Sequence, residues 1–207
     1  MQQSTARQTD DGLDDEVAAN RTPEYDISPM FVNRWSARAM TGESLDESEY
    51  LPLFEAARWA PSAFNNQHWR FVYAAREDEE WEDFLDLLYD GNRSWASDAA
   101  VLTIVLSKTT LDHNGEDAST HSFDTGAAWE NLALEGTRRG LAVHPMAGFD
   151  YDAAAELLDL SSEFEVEAMV AIGERAPPET LPEDLQEREE PSGRKDLAEI
   201  TFRGSFE

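Results

Sequence analysis

Ala60-Pro61-Ser62-Ala63-Phe64-Asn65-Asn66-Gln67-His68-Trp69-Arg70-Phe71 is the stretch on which the reading of this chain turns. An apolar helical pattern runs into it, and an aromatic, β-branched strand pattern runs out of it. Between the two stand Pro, Ser, Asn and Gln, a loop able to offer donors and acceptors to the edge of a heterocycle. Upstream lies Arg34-Trp35-Ser36-Ala37-Arg38. On a helix, Ser36 would stand about 200° from Arg34. In an extended segment Arg34, Ser36 and Arg38 all point to one side. A guanidinium fork suits phosphate. Taken alone, the first segment also reads as a helix exit and turn, and the second as surface arginines. Taken together they suit a planar, hydrogen-bonding ligand that carries a phosphate.

Around these segments the patterning alternates helix and strand. Leu45 to Ala60 reads as a helix closed by Pro61, and Trp69 to Ala75 as a strand. Glu77 to Tyr89 reads as an acidic amphipathic helix with Trp81, Phe84, Leu87 and Leu88 on its apolar side. Ala99 to Leu106 is a near-continuous apolar run suited to a buried central strand. A polar loop over 107–120 follows, then a long helix from His121 to Gly140, where glycine ends it. Leu141 to Pro145 is a short strand. Asp150 to Leu160 is a helix that Asp150 or Asp152 caps, and Val166 to Ile172 is a fourth strand. Residues 174–193 are rich in Pro and Glu and read as extended, with Ala198 to Phe202 as a possible last strand. The expected fold is α+β: a central mixed or antiparallel sheet flanked by helices. Residues 1–24 read as an acidic, flexible N-terminal arm, and 25–207 as a single domain whose extended C-terminal arm spans 174–207. The apolar residues of that arm, Leu197, Ile200 and Phe202, need a surface, either their own sheet or a partner's.

The chain has 207 residues, 41% of them hydrophobic, with six Trp and ten Phe, enough for a substantial core. Cysteine is absent, which excludes disulfides, thiolate metal sites and a cysteine nucleophile. No run approaches the ~18 apolar residues of a membrane span, and no secretory signal pattern is visible. The expected location is the cytoplasm. Charge is the outlier: 44 acidic against 16 basic residues give −28. That balance disfavours nucleic acid. Because the acids are spread along the whole chain, they describe a solvated acidic surface. Its self-repulsion is relieved by concentrated salt, which implies a salt-adapted (halophilic) source.

With both segments in this order, the chain resembles the nitroreductase family of flavin mononucleotide (FMN) oxidoreductases. Members carry Arg-x-Ser-x-Arg/Lys near the N-terminus and an Ala-Pro-Ser-x-x-Asn-x-Gln string at a helix end, matched here from Ala60 to Gln67. Further matches follow in order: Gly91-Asn92, Asp124 to Ala128 with Asn131-Leu132, His144 to Phe149, and Arg194 to Ile200. The resemblance spans about residues 28–204. It implies an FMN enzyme that takes electrons from NADH or NADPH by a ping-pong mechanism and reduces nitroaromatic, quinone or related acceptors. It also implies a domain-swapped homodimer with FMN at the subunit interface.

By position, the resemblance places Arg34, Ser36, Arg194 and Lys195 at the phosphate and ribityl end of the cofactor, and counts Trp35 among the cofactor-binding residues. Arg38 falls near N1 and the C2 carbonyl. Pro61, Ser62, Ala63 and Asn65 reach the cofactor from the partner subunit, with Gln67 close by. Asn92 bonds its pyrimidine or ribityl side. Pro145, Met146, Ala147 and Gly148 lie along the ring. No side chain is implied as catalytic; the flavin N5 carries the chemistry and Arg38 tunes it. The chain departs from the family pattern in three places. His68 replaces a proline, Ser94-Trp95-Ala96 occupies a stretch where some members have lysine, and Ala147 replaces an acidic residue found in some members. Other chemistry on the same scaffold, such as dehydrogenation or dehalogenation, or a non-catalytic flavin-binding dimer, shares these motifs.

Other candidates are weaker. Asp112, His113, Glu116, Asp117 and His121 fit neither an EF-hand nor a His-Glu-x-x-His spacing, so no metal site is expected. Ser192-Gly193-Arg194-Lys195 matches Ser-x-x-Lys without its companion motifs. No Gly-x-Gly-x-x-Gly or Walker string occurs.

Overall fold

The apolar run at the centre of the sequence is the centre of the sheet. In the computed structural model, which describes residues 12–206, β2 (Val101–Lys108) is buried over nearly its whole length. It pairs antiparallel with β1 (Trp69–Ala75) on one side and β4 (Phe164–Glu174) on the other, and β4 pairs antiparallel with β3 (Leu141–Met146). The order is β1-β2-β4-β3, wholly antiparallel.

Both faces of this sheet are covered, which explains why β2 lacks an alternating pattern. Leu102, Ile104 and Leu106 face a cluster containing Trp81, Phe84, Leu85, Leu88 and Trp95. Val101 and Val105 face the opposite cluster, with Leu53 and Ala57 from α3 (Glu47–Arg58) and Ala128 and Leu132 from α6 (His121–Arg138). Gly136 lets α6 approach the sheet: a Cβ there would stand 2.4 Å from Val143 Cγ2.

The remaining helices are short: α1 (Asp15–Ala18), α2 (Pro29–Asn33), α4 (Trp81–Asp86), α5 (Asp90–Ala96), α7 (Tyr151–Leu157) and α8 (Glu183–Gln186). Asp150 caps α7 as expected, its side chain accepting from Ala153 N at 3.0 Å. The helix expected over Glu77 to Tyr89 is confined to α4. Its C-terminal end is pulled into the fold by Asp150 N donating to Leu87 O, the Leu88–Phe149 bridge and Tyr89 N donating to Gly148 O. Helix α5 follows. Its Gly-Asn-Arg-Ser start is a poor helix signal, and the fully buried Trp95 holds it in place.

Both ends differ from expectation. Residues 1–11 of the expected arm lie outside the described residues. From Asp14 the chain packs: Val17 is fully buried, and Glu16 Oε2 accepts from Arg175 Nη2 at 2.9 Å. The expected strand over Ala198 to Phe202 is a 3₁₀ turn at Leu197–Glu199, with no β partner among the described residues. Ile200, Phe202 and Phe206 remain exposed. The Pro- and Glu-rich segment before them docks in part, burying Leu181 and Glu189. Among the described residues, no helix is long and apolar enough to cross a membrane.

Candidate functional site

Residues 34–39 form an extended strip beside the end of β4. Met40 bridges Arg175, Ala176 N donates to Ala39 O at 2.9 Å, and Thr41 N donates to Glu174 O at 3.0 Å. Burial alternates along the strip: Trp35, Ala37 and Ala39 are buried, while Arg34, Ser36 and Arg38 share the more open side. The two arginines and the serine thus point one way, as the extended reading requires. Arg34 Nη1 lies 3.4 Å from Ser36 Oγ. The Trp35 side chain faces the core, donating to Glu16 Oε1 and lying under the Arg175 guanidinium. Any contact of Trp35 with a ligand on the open side is therefore through its backbone.

A second cation source meets this strip. Arg194 interacts electrostatically with both Arg34 and Arg21. Arg21, in the segment expected to be a loose arm, donates to Val32 O at 2.6 Å, Arg34 O at 2.8 Å and Ser192 O at 2.8 Å. It therefore clamps the C-terminal segment to the strip. Burial first, then the charges of Arg194 and Arg34, lower its pKa to about 10. Arg34 is likewise lowered, mainly by burial, while Glu130, 3.7 Å away, opposes the shift. Arg21, Arg34 and Arg194 thus gather positive charge beside the strip, with Glu130 as the acid facing Arg34. Arg21 and Arg194, with Lys195, also line a groove of about 640 Å³ between residues 20–32 and 193–200.

The strip is tied to the end of β3 by His144, whose Nδ1 lies 3.2 Å from Ala37 O. Its ring packs on Trp95 with centroids 4.5 Å apart. Burial, then the Arg38 charge, lower its pKa to about 4, so the ring is neutral at neutral pH and Nδ1–H donates. The segment after β3 turns past Asn92, whose Nδ2 donates to Gly148 O at 3.0 Å. A Cβ on Gly148 would meet that nitrogen at 2.7 Å. Ala147 is exposed and Gly148 half-buried, while the Met146 side chain is buried in the core. Met146 offers this face its backbone only.

The Pro61–Gln67 loop is built on other supports. Phe64, Asn65 and Gln67 have φ of 55°, 54° and 51°, left-handed positions on either side of the right-handed Asn66, which side chains disfavour. Ala63 N donates to Asp124 Oδ2 at 2.9 Å, Gln67 N to Ser62 Oγ at 2.9 Å, and Gln67 Nε2 to Asn65 O at 2.9 Å. His68, at the departure from proline, is fully buried, with Nδ1 2.7 Å from Lys108 O. Among the described residues no hydrogen bond or ion pair joins this loop to the 34–38 strip. The fold brings Arg34, Ser36, Arg38, Asn92, Pro145 to Gly148, Arg194 and Lys195 to one region, and leaves Pro61, Ser62, Ala63, Asn65 and Gln67 on a separately anchored loop.

One potential metal cluster exists among the described residues. Ligand atoms of His121, Glu165 and Glu167 lie within 4.8 Å of one another. Ser107 and Ser122 already donate to Glu167 at 2.5 and 2.6 Å, and Ser107 Oγ lies 2.7 Å from His121 Nδ1.

Similarity to known proteins identifies the family. A solved structure described as an oxidoreductase containing FMN superposes with a TM-score of 0.87 at 45% identity, covering 90% of this chain and 96% of that one. An uncharacterized 15.4 kDa protein of Mycolicibacterium smegmatis is 36% identical over 135 residues, 62% of this chain and 86% of that protein. MhqN of Bacillus subtilis, provisionally named an NAD(P)H nitroreductase, is 24% identical over 174 residues, 68% of this chain and 84% of its own. The family model described as "Nitroreductase family" matches residues 32–174, from the strip to the end of β4, and the chain belongs to that family of oxidoreductases.

Proposed function

We propose that this protein is an FMN-dependent NAD(P)H oxidoreductase that reduces nitroaromatic, quinone or related acceptors, donor and acceptor using one site in turn. The observation that carries the reading is the meeting of Arg21, Arg34 and Arg194 beside Ser36, in a protein of net charge −28. Such a gathering of cations, beside the Ser36 hydroxyl, suits an anion, and a phosphate monoester matches forked donors. The FMN-containing solved relative and the naming of MhqN support the same assignment.

The residues fit the group. Arg34, Ser36, Arg194 and Lys195 would hold the phosphate and ribityl end. Arg38 would face N1 and the C2 carbonyl. The glycine at 148 makes room for the Asn92 amide, which holds this segment in place, and the exposed Ala147 and half-buried Gly148 would present their backbone to a flat ring. Bound there, FMN supplies the redox chemistry that no side-chain acid, base or nucleophile of the site provides. Arg38 stabilises negative charge at the N1 edge electrostatically. The Pro61 to Gln67 loop, not joined to this region within the chain, would reach the cofactor across a homodimer interface. Exposed Trp59, Phe64 and Phe123, with Ile200 and Phe202 of the tail, support such an interface.

The test is the visible spectrum of the protein purified in multimolar KCl, with the released cofactor identified by mass, followed by titration with NADH and NADPH. FMN at about one per chain, bleached by either nicotinamide, is the expected result. A colourless protein that takes up no added FMN would overturn the reading, and one that binds FMN without reduction would leave a flavin binder.

A further inference from the structure

We propose that Glu189 is a positioning residue that fixes the place of Arg38 and offsets its charge, and so holds down the reduction potential of the cofactor. The role rests on the reading of Arg38 as facing the N1 edge of FMN.

Asp124 and Glu189 are the buried acids among the described residues. Glu189 comes from the charged run Glu187-Arg188-Glu189-Glu190, where its neighbours are exposed and its own side chain is 2% exposed. Its Oε1 accepts from the backbone N–H of Arg38 at 2.6 Å and of Ala39 at 2.9 Å. Its Oε2 is buried with no hydrogen-bond partner and stands 3.5 Å from Arg38 Nη1. A carboxylate is costly to bury, and one with a free oxygen more so, unless a charge answers it. Here that charge is Arg38. The nearby Arg175 already has Glu16, bound at 2.9 Å. Arg175 also feels the charges of Glu189 and Asp14, but Glu189 is the carboxylate placed against Arg38, and removing it takes one negative charge from beside that guanidinium.

Two effects follow. The paired N–H acceptor fixes the backbone from which the Arg38 side chain projects. The carboxylate also offsets part of the guanidinium field in a poorly solvated place, where charges act strongly. Two-electron reduction adds negative charge at the N1 edge. Arg38 favours that charge and Glu189 disfavours it, so Glu189 keeps the reduced cofactor a stronger electron donor.

The experiment uses the full chain loaded with FMN in multimolar KCl, with the midpoint potential measured against redox dyes. Glu189→Gln keeps the side-chain shape and an acceptor for both N–H groups while removing the charge. Reduced FMN is expected to bind tighter relative to oxidised FMN by about tenfold, which a two-electron couple reads as a rise of about 30 mV. Glu189→Ser, small and hydratable, carries the same expectation should the Gln protein not fold. Glu189→Asp retains the charge and is expected to stay near the wild-type potential. Wild-type potentials in Gln and Ser, or an equal shift in Gln and Asp, would overturn the role while FMN binding stands. A wild-type protein that binds no FMN would overturn both the role and the reading beneath it.

Discussion

Asn92 Nδ2 donates to the carbonyl of Gly148 at 3.0 Å, and the same nitrogen would stand 2.7 Å from any Cβ placed on that glycine. The side chain thus holds the 145–148 segment and would have to shift, straining that hydrogen bond, to admit a substituent on it. Gly148→Ala is expected to weaken FMN binding at least about tenfold and to destabilise the fold by about 1–3 kcal/mol, the usual cost of overpacking. Because the clash is with one side chain, Asn92→Ala in the same protein should recover part of the stability. A double-mutant cycle on urea midpoints checks this: a coupling of about 0.5 kcal/mol or more is expected, and additive losses would refute it.

Arg21 joins three carbonyls, those of Val32, Arg34 and Ser192, from a segment that the family match does not include. Arg21→Ala removes a cation from the anion site and releases the tail that carries Arg194. FMN affinity is expected to fall at least about tenfold, in line with about 1.5–3 kcal/mol for hydrogen bonds to a charged group. Riboflavin, which lacks the phosphate, should lose little. Comparing the two dissociation constants by fluorescence quenching decides the matter, since an equal loss for both ligands would make Arg21 a purely structural clamp.

His144 titrates in the opposite sense to a paired histidine. Its folded pKa, about 4, lies below the ordinary 6.5 because burial and Arg38 disfavour the charged ring. Above pH 6.5 it is neutral in both states and adds no pH dependence. As pH falls below that value the unfolded chain takes up the proton first, so stability is lost, by about 2 kcal/mol at about pH 5. His144→Gln is expected to flatten this part of the stability curve. Urea unfolding of both proteins between about pH 7.5 and 5 reads it out, and parallel curves would refute it.

The net charge of −28 has its own consequence. Repulsion among exposed carboxylates is screened when the Debye length shrinks from about 10 Å at 0.1 M salt to about 3 Å at 1 M. The melting temperature is expected to rise steadily from dilute to multimolar KCl. Calorimetry in a KCl series tests this, and a flat response would remove the salt-adaptation reading.

Much of the architecture was legible because it repeats or stops locally. The run Val101 to Leu106 had to be a buried strand, since no exposed face tolerates so many apolar neighbours. Gly140, at φ 78°, marks the end of the long helix, and Asp150 caps the next. The alternation Arg34, Ser36, Arg38 announced a one-sided strip once an extended backbone was assumed. The strand expected at Ala198 to Phe202 has apolar residues but, among the described residues, pairs with neither edge strand of the sheet, and strand propensity without a partner does not make a ladder.

What only the tertiary structure decided are relationships between distant residues that carry no local pattern. Glu189 lies 151 residues from Arg38 within a run of charges that reads as solvated, and Arg21 lies 171 residues from Ser192 in what reads as a loose arm. His144 is an ordinary strand-end histidine until it meets Ala37, 107 residues away. Sequence by itself determined the periodic elements, the family and the one-sided strip, because periodicity and capping act between neighbours. Which charges are buried, which are paired and which stay open to a ligand was decided by long-range packing, because burial and pairing exist only once distant segments share one low-dielectric space.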